Sequence, residues 1–512
     1  MTSRGPPKTK VQVETSLENP DYDAIILVAS PEQKLQSGKL QTVVSGALNL
    51  DPSLKTELAI LPVDLPAGRV VYSPTGPIDD DYGDVRSFKD SAKAAVKRAL
   101  KAGIRRPLLV LEGHPRFEQA ELVTLLGVLE ALYTPIQIRE HDPSKTHKVD
   151  VLGVFTHNPD KTEKLVNIAQ ILEEGRRVAC DIGDCDPERM APPRIEEYLK
   201  DLFAGTGVNM EVVSDVGIFK KDYPLFEAVN RAASCQERHK GRIVYLEYNP
   251  PETVEKTLYL VGKGVTYDTG GADVKISGNM VGMSRDKCGA AAAAGFMHIV
   301  RLLQPKNIKV VVGLSLVRNS IGSNSYVADE VITARSGARV RVVNTDAEGR
   351  MVMADVLCKF KEAALRAVNP HIFTIATLTG HACRTVGLGY TIIMDNGPAR
   401  NVNTNRILQE ASEKIADPFE ISTIRREDFA NHKGIMEGDD VIQSQAKPSI
   451  QVSRGHQGPA AFLIMASGLE KHGSGSSQPL KYSHLDIAAS SGDLPNPATG
   501  SPILALAQAY LL

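Results

Sequence analysis

The chain has 512 residues, with 42% hydrophobic and 23% charged residues, which is the balance of a globular protein. That length is too great for one ordinary core, so two domains are expected. The formal net charge of -2 gives no reason to expect nucleic acid or an anionic membrane as a partner, and no run approaches the ~18 apolar residues of a membrane helix.

The first third of the chain alternates short apolar runs with amphipathic patterns. Buried strands are predicted near residues 23–30, 106–112 and 150–155, and helices over residues 91–103 and 117–133. Strands that alternate with helices indicate an α/β domain with a largely parallel sheet. We place this domain at residues 1–176 and expect its first ~20 residues to be disordered.

A charged helical stretch over residues 161–177 leads into a larger second domain, which we place at residues 177–512. Its predicted strands are residues 258–262, 309–314, 339–343 and 372–378, and its predicted helices are residues 194–204, 289–303 and 351–368. The predicted fold class is therefore α/β with two domains: a smaller N-terminal α/β domain and a larger C-terminal α/β domain with a mixed central sheet flanked by helices.

The beginning of the chain lacks the apolar segment of a secretory signal. Arg4, Lys8 and Lys10 also fit a transit peptide, but Pro6 and Pro7 argue against an amphipathic helix there. Six sparse cysteines without C-x-x-C pairs are typical of reduced, buried thiols in a reducing compartment. A cytoplasmic location is the resulting expectation.

The first candidate functional segment is LVGKGVTYDTGG, which begins at Leu260. Its glycines allow sharp turns, and we expect them to hold Lys263 and Asp268 on a loop at a strand end, where α/β proteins usually place their chemistry. Lys275 and Asp286 follow before the next predicted helix. Taken alone, the segment is more typical of a surface turn, and it lacks the Walker spacing of a phosphate-binding loop.

The second segment is NTDAEGR, residues 344–350, between a predicted strand and a long predicted helix. Asp346 and Glu348 can both reach one point from a tight loop, although an isolated Asp-x-Glu is usually a solvated loop. Carboxylates with an amine suit Mn²⁺, Mg²⁺ or Zn²⁺, and four carboxylates favour two ions ~3.5–4 Å apart. Arg350 and the free backbone N–H groups of the helix start indicate an anion site.

Together these segments resemble the leucyl aminopeptidase (cytosol aminopeptidase) family. NTDAEGR resembles the family signature, and VGKGVTYDTGG, Lys275 and Asp286 follow the family's order and spacing. Two later segments, ATLTG at residues 376–380 and HLDIA at residues 484–488, also match. The resemblance runs from about residue 177 to the end of the chain. The N-terminal domain is similar to the family only in size and α/β character.

The resemblance implies a metalloaminopeptidase, a hydrolase that releases N-terminal amino acids from peptides by a two-metal bridging-water mechanism. It implies a catalytic C-terminal domain, two divalent metal ions per subunit (Zn²⁺ or Mn²⁺), and a homohexamer. The implied metal ligands, among which Lys263 requires a strongly depressed pKa, are Lys263, Asp268, Asp286, Asp346 and Glu348. The implied catalytic pair, with bicarbonate held at the arginine, is Lys275 and Arg350. The implied substrate contacts are Met283, Asn344, Thr377, Leu378 and Gly380.

The sequence departs from the family pattern at several positions near this site. Lys287 and Cys288 replace Met and Gly. Lys287 would either lower metal affinity or point to solvent, and a packing role is favoured over a redox switch for Cys288. His381 replaces an Ala and would either touch substrate or have a structural role. Residues 444–458 also differ, so a preference for leucine does not carry over. His484 is expected to be a structural hydrogen-bonding residue.

Two other function classes stay open on the sequence alone. The Lys287-Cys288 pair and the altered pocket wall motivate a non-enzymatic assembly or regulatory role, which predicts poor metal retention. A two-metal phosphoesterase would need phosphate-binding basic groups beyond Lys275 and Arg350, and the sequence offers no convincing set.

Overall fold

The computed structural model describes residues 5–512, which form two compact units. The smaller unit comprises Pro7–Glu174 and Ser412–Ala416. The larger comprises Gly175–Ala411 and Asp417–Leu512, together with residues 5–6. Both units are α/β, and the larger contains a mixed central sheet, so the predicted fold class is confirmed. The division at residues 176 and 177 stays a prediction.

The smaller unit is built on one six-stranded sheet. Its strands are β1 (Val11–Glu14), β2 (Ala24–Ala29), β3 (Ala59–Pro62), β4 (Arg69–Pro74), β5 (Pro107–Val110) and β6 (Leu152–Phe155). The strand order is β1-β6-β5-β2-β4-β3, and every neighbouring pair is parallel except β3 with β4. Strand β2 is a continuous apolar run that is buried throughout, as expected for a central parallel strand. The helices of this part of the chain are α1 (Gly38–Leu50), α2 (Arg86–Lys101), α3 (Ala120–Ala131) and α4 (Ile136–His141).

Strand β1 corrects the expectation of a disordered beginning of about 20 residues. Val11–Glu14 pairs in parallel with β6, from Val11 opposite Leu152 to Glu14 opposite Phe155. The edge of β6 satisfies the backbone groups of this segment, which therefore does not need an apolar run to be ordered. Residues 1–4 of that expectation lie outside the described residues.

The larger unit contains an eight-stranded and a three-stranded sheet. Their strands are β7 (Asn209–Val213), β8 (Arg242–Tyr248), β9 (Lys256–Asp268), β10 (Ile308–Asn319), β11 (Val331–Thr333), β12 (Arg339–Arg341), β13 (Pro370–Ala376), β14 (Thr391–Asp395), β15 (Phe419–Ile421), β16 (Val441–Ile442) and β17 (Lys481–Asp486). The large sheet has the order β15-β14-β17-β13-β9-β10-β8-β7, and the small sheet β11-β12-β16. The four central strands, β17, β13, β9 and β10, are parallel, while β14 and β8 run antiparallel to them.

Helix α5 (Pro159–Asp184) contains the boundary between the units. The later helices are α6 (Pro192–Phe203), α7 (Val216–Asp222), α8 (Pro224–Ala233), α9 (Cys288–Leu303), α10 (Glu348–Ala364), α11 (Gly380–Val386), α12 (Gly397–Asn401), α13 (Thr404–Lys414), α14 (Arg426–Ala430), α15 (Gln457–Ala466) and α16 (Ile503–Tyr510). Helices α9 and α10 both pack on β9. Gly262 faces Ala290 of α9, whereas Val261 belongs to the core cluster of α10. Because successive strand residues point to opposite faces, the two helices cover the two faces of the sheet.

Strand β9 is longer than predicted and changes the placement of Lys263. The predicted strand ended at residue 262, but β9 continues to Asp268, so Lys263 lies within a strand and not on a loop. A Cβ on Gly262 would lie 2.8 Å from the backbone nitrogen of Ala290. The glycine therefore permits close packing of α9 on the strand, and it does not mark a turn.

Two further expectations concern membrane-spanning helices and the burial of the cysteines. No helix of residues 5–512 is both long and apolar enough to cross a membrane. The expectation that all six cysteines are buried is wrong for Cys235, which is exposed beyond the end of α8, and for Cys383, which is only partly buried.

Candidate active site

The candidate site lies at the carboxyl edge of the central parallel strands. Strand β9 ends at Asp268, β13 ends one residue before Thr377, and β17 ends at Asp486. Helix α10 begins at Glu348, so Glu348 and Arg350 occupy its first turn. Parallel strands place their carboxyl ends at one edge, which is where α/β folds usually bind ligands.

A cavity of about 720 Å³ lies at this edge. It brings together every residue that the sequence predicted as a metal ligand, catalytic residue or substrate contact. These residues are Lys263, Asp268, Lys275, Met283, Asp286, Asn344, Asp346, Glu348, Arg350, Thr377, Leu378 and Gly380.

Lys263 lies at the centre of one half of the acidic cluster. Its Nζ is 2.7 Å from Asp286 Oδ1 and 3.0 Å from Glu348 Oε1, and it donates a hydrogen bond of 2.9 Å to the Thr377 carbonyl. Gly349 leaves the space for this side chain, because a Cβ at that position would lie 2.6 Å from Lys263 Nζ. The glycine of the NTDAEGR segment is thus required by the lysine of β9.

Lys275 is the centre of the other half. Its Nζ is 2.8 Å from Asp268 Oδ2 and 2.5 Å from Asp346 Oδ1. Carboxylate oxygens of Asp268, Asp346 and Glu348 lie within 4.8 Å of one another. Two ammonium groups therefore lie among carboxyl groups that are close enough to bind the same metal ion.

The electrostatics of the cluster reflect crowded negative charge. Burial raises the pKa of Asp286 well above its ordinary value, and burial together with Asp268 raises the pKa of Asp346 to about 7. Burial disfavours the charge of Lys263, but Asp286 and Glu348 outweigh burial and raise the pKa of its amine. The depressed pKa expected for a ligand lysine is therefore not produced by the protein groups, and it would have to come from bound cations.

The donor set fits divalent cations. Asp286 Oδ2 and Glu348 Oε2 are buried and accept no hydrogen bond from any residue between 5 and 512. Buried carboxylate oxygens normally have donors or metal partners, because burying charge without compensation is unfavourable. If all four carboxyl groups are ionised, they exceed the two ammonium groups by two negative charges, and the raised pKa values of Asp286 and Asp346 show that this charge is unfavourable without further cations. Oxygen ligands and one amine suit hard or borderline divalent ions.

Arg350 is buried beside these carboxylates. Its Nη1 donates a hydrogen bond of 3.1 Å to the Gln443 carbonyl, while its buried Nε has no acceptor among the described residues. Burial lowers the pKa of Arg350 to about 10, so the guanidinium stays charged near neutral pH. A charged group with an unused donor in the first turn of α10 is suited to hold an anion.

The predicted substrate-contacting loop is held by Asp486, which was not assigned a role from the sequence. Asp486 accepts hydrogen bonds from the Thr379 hydroxyl at 2.7 Å and from the Leu378 N–H at 3.3 Å. The Thr377 hydroxyl donates to Asp286 Oδ1 at 2.8 Å and so connects this loop to the acidic cluster. Asp486 belongs to the HLDIA segment that was noted in the sequence, but that segment did not indicate the hydrogen bonds to Leu378 and Thr379.

Lys287 is fully buried, so the alternative in which it points to solvent is wrong. Its Nζ donates to the Cys185 carbonyl at 2.8 Å and to the Ser284 carbonyl. Burial lowers the pKa of Lys287 to about 8. The neighbouring Cys288 is buried at the start of α9, where its Sγ would lie 3.0 Å from a Cβ on Gly183.

The other departures differ in their relation to the cavity. His381 is partly buried and pairs with buried His456, with their Nδ1 atoms 2.8 Å apart, and His381 is not among the residues that line the cavity. Residues of the 444–458 segment do line it, including Ser444, Lys447 and Ile450. His484 lies in β17 and hydrogen bonds the Thr374 hydroxyl at 2.7 Å.

Comparisons with known proteins agree with this architecture. Residues 177–507 match the cytosol aminopeptidase family, catalytic domain. A putative aminopeptidase of Caenorhabditis elegans is 43% identical over 514 residues, covering 98% of both chains. A probable cytosol aminopeptidase of Chlamydia trachomatis serovar D is 30% identical over 401 residues, covering 75% of this chain and 73% of the relative.

A solved structure is similar to this chain in fold. The bottromycin maturation enzyme BotP, in complex with Mn, superposes with a TM-score of 0.77 at 21% identity, covering 95% of this chain and 98% of that one. With a family match over the whole catalytic region and a relative similar along nearly its entire length, the chain belongs to the cytosol aminopeptidase family and is an aminopeptidase, a peptide hydrolase of the leucyl aminopeptidase type.

Proposed function

We propose that this aminopeptidase is metal-dependent and binds two divalent ions per subunit, Zn²⁺ or Mn²⁺. The observation that carries the proposal is the crowding of carboxyl groups around Lys263 and Lys275, in which Asp286 Oδ2 and Glu348 Oε2 accept no hydrogen bond from the part of the chain that the structure describes. The residues that would hold the ions are Lys263, Asp268, Asp286, Asp346 and Glu348.

When bound, the two ions would polarise the scissile carbonyl and lower the pKa of a bridging water. Without bound ions, Asp268 and Asp346 outweigh the burial of Lys275 and raise the pKa of its amine, and we propose that the amine keeps its charge when the ions are bound. Its ammonium would stabilise the oxyanion that develops during attack on the peptide carbonyl. Arg350 would hold a bicarbonate, which would serve proton transfer. Around them, the residues that would position the N-terminal residue of the peptide are Met283, Asn344, Thr377, Leu378 and Gly380.

A variant of Lys275 tests this assignment in the metal-loaded protein. Lys275→Ala should lower kcat on dipeptides and aminoacyl amides by about 10²–10³-fold, the usual effect of losing one oxyanion donor. Replacing the exposed Lys471 by Ala is the matched control and should leave kcat unchanged. Equal rates for wild type and Lys275→Ala would remove Lys275 from the mechanism.

A two-metal phosphoesterase is less well supported by the cavity. Of the other arginines that line it, Arg285 is bound to Asp184 and two backbone carbonyls. Arg454 is bound to Asp428 and the Thr423 carbonyl. Neither guanidinium is placed to take a substrate phosphate.

The non-enzymatic alternative loses part of its motivation. It rested on Lys287 and Cys288, but the Lys287 ammonium is directed to backbone carbonyls of Cys185 and Ser284. The proposal also includes peptide substrates, a homohexamer and a cytoplasmic location. The names of the cytosol aminopeptidase relatives support the location. The family match over residues 177–507 supports a catalytic domain at 177–512.

A further inference from the structure

Gln443 follows strand β16 and its side chain is completely buried. The side-chain amide contacts the backbone of residues 343–347, nearly one hundred positions earlier in the chain. Its Oε1 accepts hydrogen bonds of 3.0 Å from the N–H groups of both Val343 and Asn344. Its Nε2 donates to the carbonyls of Asn344 at 2.8 Å and Ala347 at 3.0 Å.

These four contacts use the full hydrogen-bonding capacity of the amide. A primary amide has two N–H donors and an oxygen that accepts two hydrogen bonds, and Gln443 has a partner for each. Rotating the amide by half a turn would set N–H against N–H and oxygen against carbonyl. Only one orientation is therefore possible, and the amide acts as a rigid template for the loop.

The main chain of the same residue adds two contacts. The Gln443 N–H donates to the Arg341 carbonyl at 2.8 Å, which continues the pairing of β16 with β12. The Gln443 carbonyl accepts the 3.1 Å hydrogen bond from Arg350 Nη1. Gln443 thus contacts the strand before the NTDAEGR segment, the backbone at the start of that segment, and Arg350 at its end.

We infer that Gln443 is a positioning residue that sets the backbone of the loop and thereby places Asp346 and Glu348 for ligation. Asp346 directly precedes the Ala347 carbonyl that Gln443 holds, and Glu348 directly follows it. A shift of this backbone would move both carboxylates relative to Lys263 and Lys275. The effect on ligation rests on the proposed function, whereas the effect on the loop does not.

Hydrogen exchange tests the loop directly in the full-length protein. In Gln443→Leu, the backbone N–H groups of Val343 and Asn344 lose their acceptor, so exchange in segment 340–352 should accelerate about tenfold or more. The matched control is Asn396→Leu. Asn396 Oδ1 accepts from the N–H groups of Ala399 and Tyr482, both at 3.1 Å, and its Nδ2 donates to Leu480 at 2.9 Å.

The control separates positioning from general loss of stability. Both variants should lower the unfolding temperature, but only Gln443→Leu should accelerate exchange in segment 340–352. Gln443→Glu, as the neutral acid, keeps the acceptor oxygen and one of the two donors, so exchange in its segment 340–352 should be intermediate. This variant is measured in its place if Gln443→Leu fails to fold. Exchange in this segment that matches wild type in the folded variant would overturn the inference.

Metal affinity tests the consequence for ligation with a readout other than hydrolysis. In competition with a chromogenic chelator, Mn²⁺ should bind Gln443→Leu about tenfold more weakly than wild type, and Asn396→Leu as tightly as wild type. Equal Mn²⁺ affinity of wild type and Gln443→Leu would refute the role in ligation. A wild type that binds neither Mn²⁺ nor Zn²⁺ would instead refute the proposed function, and the exchange measurement would still decide whether Gln443 holds the loop.

Discussion

At residue 349 only a glycine leaves room for the ammonium of Lys263, because a Cβ would lie 2.6 Å from Nζ. Gly349→Ala should therefore displace Lys263 from Asp286 and Glu348 and reduce both Mn²⁺ affinity and peptide hydrolysis by at least about tenfold. The measurements are chelator competition and release of amino acid from a dipeptide. Gly475→Ala is the control, since no atom of residues 5–512 lies within 4 Å of a Cβ there. Wild-type affinity in Gly349→Ala would show that the lysine does not need this space.

Lys287 contributes to stability through two buried backbone carbonyls. Lys287→Met would remove the ammonium that donates to the Cys185 and Ser284 carbonyls, and this should destabilise the fold by about 1–3 kcal/mol. Thermal unfolding of the metal-free protein measures the effect, with Lys306→Met as control because that side chain is 76% exposed. A Lys287→Met variant as stable as wild type would mean that other donors or water replace the ammonium.

The residues of the site were largely predictable because they lie in short, recognisable segments. NTDAEGR and VGKGVTYDTGG named residues that the fold gathers in one cavity. Gln443 and Asp486 were not assigned a role. Each forms hydrogen bonds with backbone groups about one hundred residues away, and no local sequence pattern indicates such a contact. The direction of the pKa shift of Lys263 could not be predicted from the sequence either. Burial lowers this pKa and the nearby carboxylates raise it, so the outcome depends on their distances in the structure.

Among the elements, β9 shows why glycines are ambiguous in a sequence. The glycine-rich run after residue 262 predicted a loop, but β9 continues through it in register with β10, from Lys256 opposite Ile308 to Val265 opposite Val317. The close packing of α9 explains the glycine at 262. Buried apolar strands such as β2 were identified within one or two residues, because their composition has fewer alternatives.

The pairing of β13 with β17 buries His484 opposite Thr374, and this predicts acid sensitivity. Burial, with smaller contributions from His456 and Arg350, lowers the pKa of His484 from 6.5 to about 3. Below pH 6.5, the His484 imidazole therefore binds a proton in the unfolded chain but stays neutral in the folded chain until the pH approaches 3. Folded-state stability should fall as the pH drops below 6.5, by up to about 1.4 kcal/mol per pH unit from this residue.

His484→Gln tests this sign. The variant keeps a hydrogen-bonding group but cannot titrate, so its unfolding temperature should fall less between pH 7 and pH 5 than that of wild type. Other buried histidines, including His432 with its pKa lowered to about 4 by burial, should leave part of the dependence in place. The exposed His147→Gln should behave as wild type. An unchanged pH dependence in His484→Gln would contradict the assignment.

For the whole molecule, the proposed homohexamer has a direct test in solution mass. Light scattering coupled to size-exclusion chromatography should give six times the chain mass of 55.3 kDa. The Gln443→Leu variant should keep this mass, because its predicted defect is confined to the loop of residues 343–347. A wild-type mass of one chain across the working concentration range would contradict the hexamer and leave the proposed chemistry of the site unaffected.

The surplus of buried carboxylate charge makes metal dependence the property on which the proposed function depends most. The decisive measurement is release of N-terminal amino acids from a dipeptide panel by the full-length protein, after chelation and during stepwise addition of Mn²⁺ or Zn²⁺. Hydrolysis should be lost on chelation and should return in proportion to bound metal, reaching its maximum at two ions per chain. Undiminished hydrolysis by the metal-free protein, or none on any dipeptide with two ions bound, would contradict the proposal.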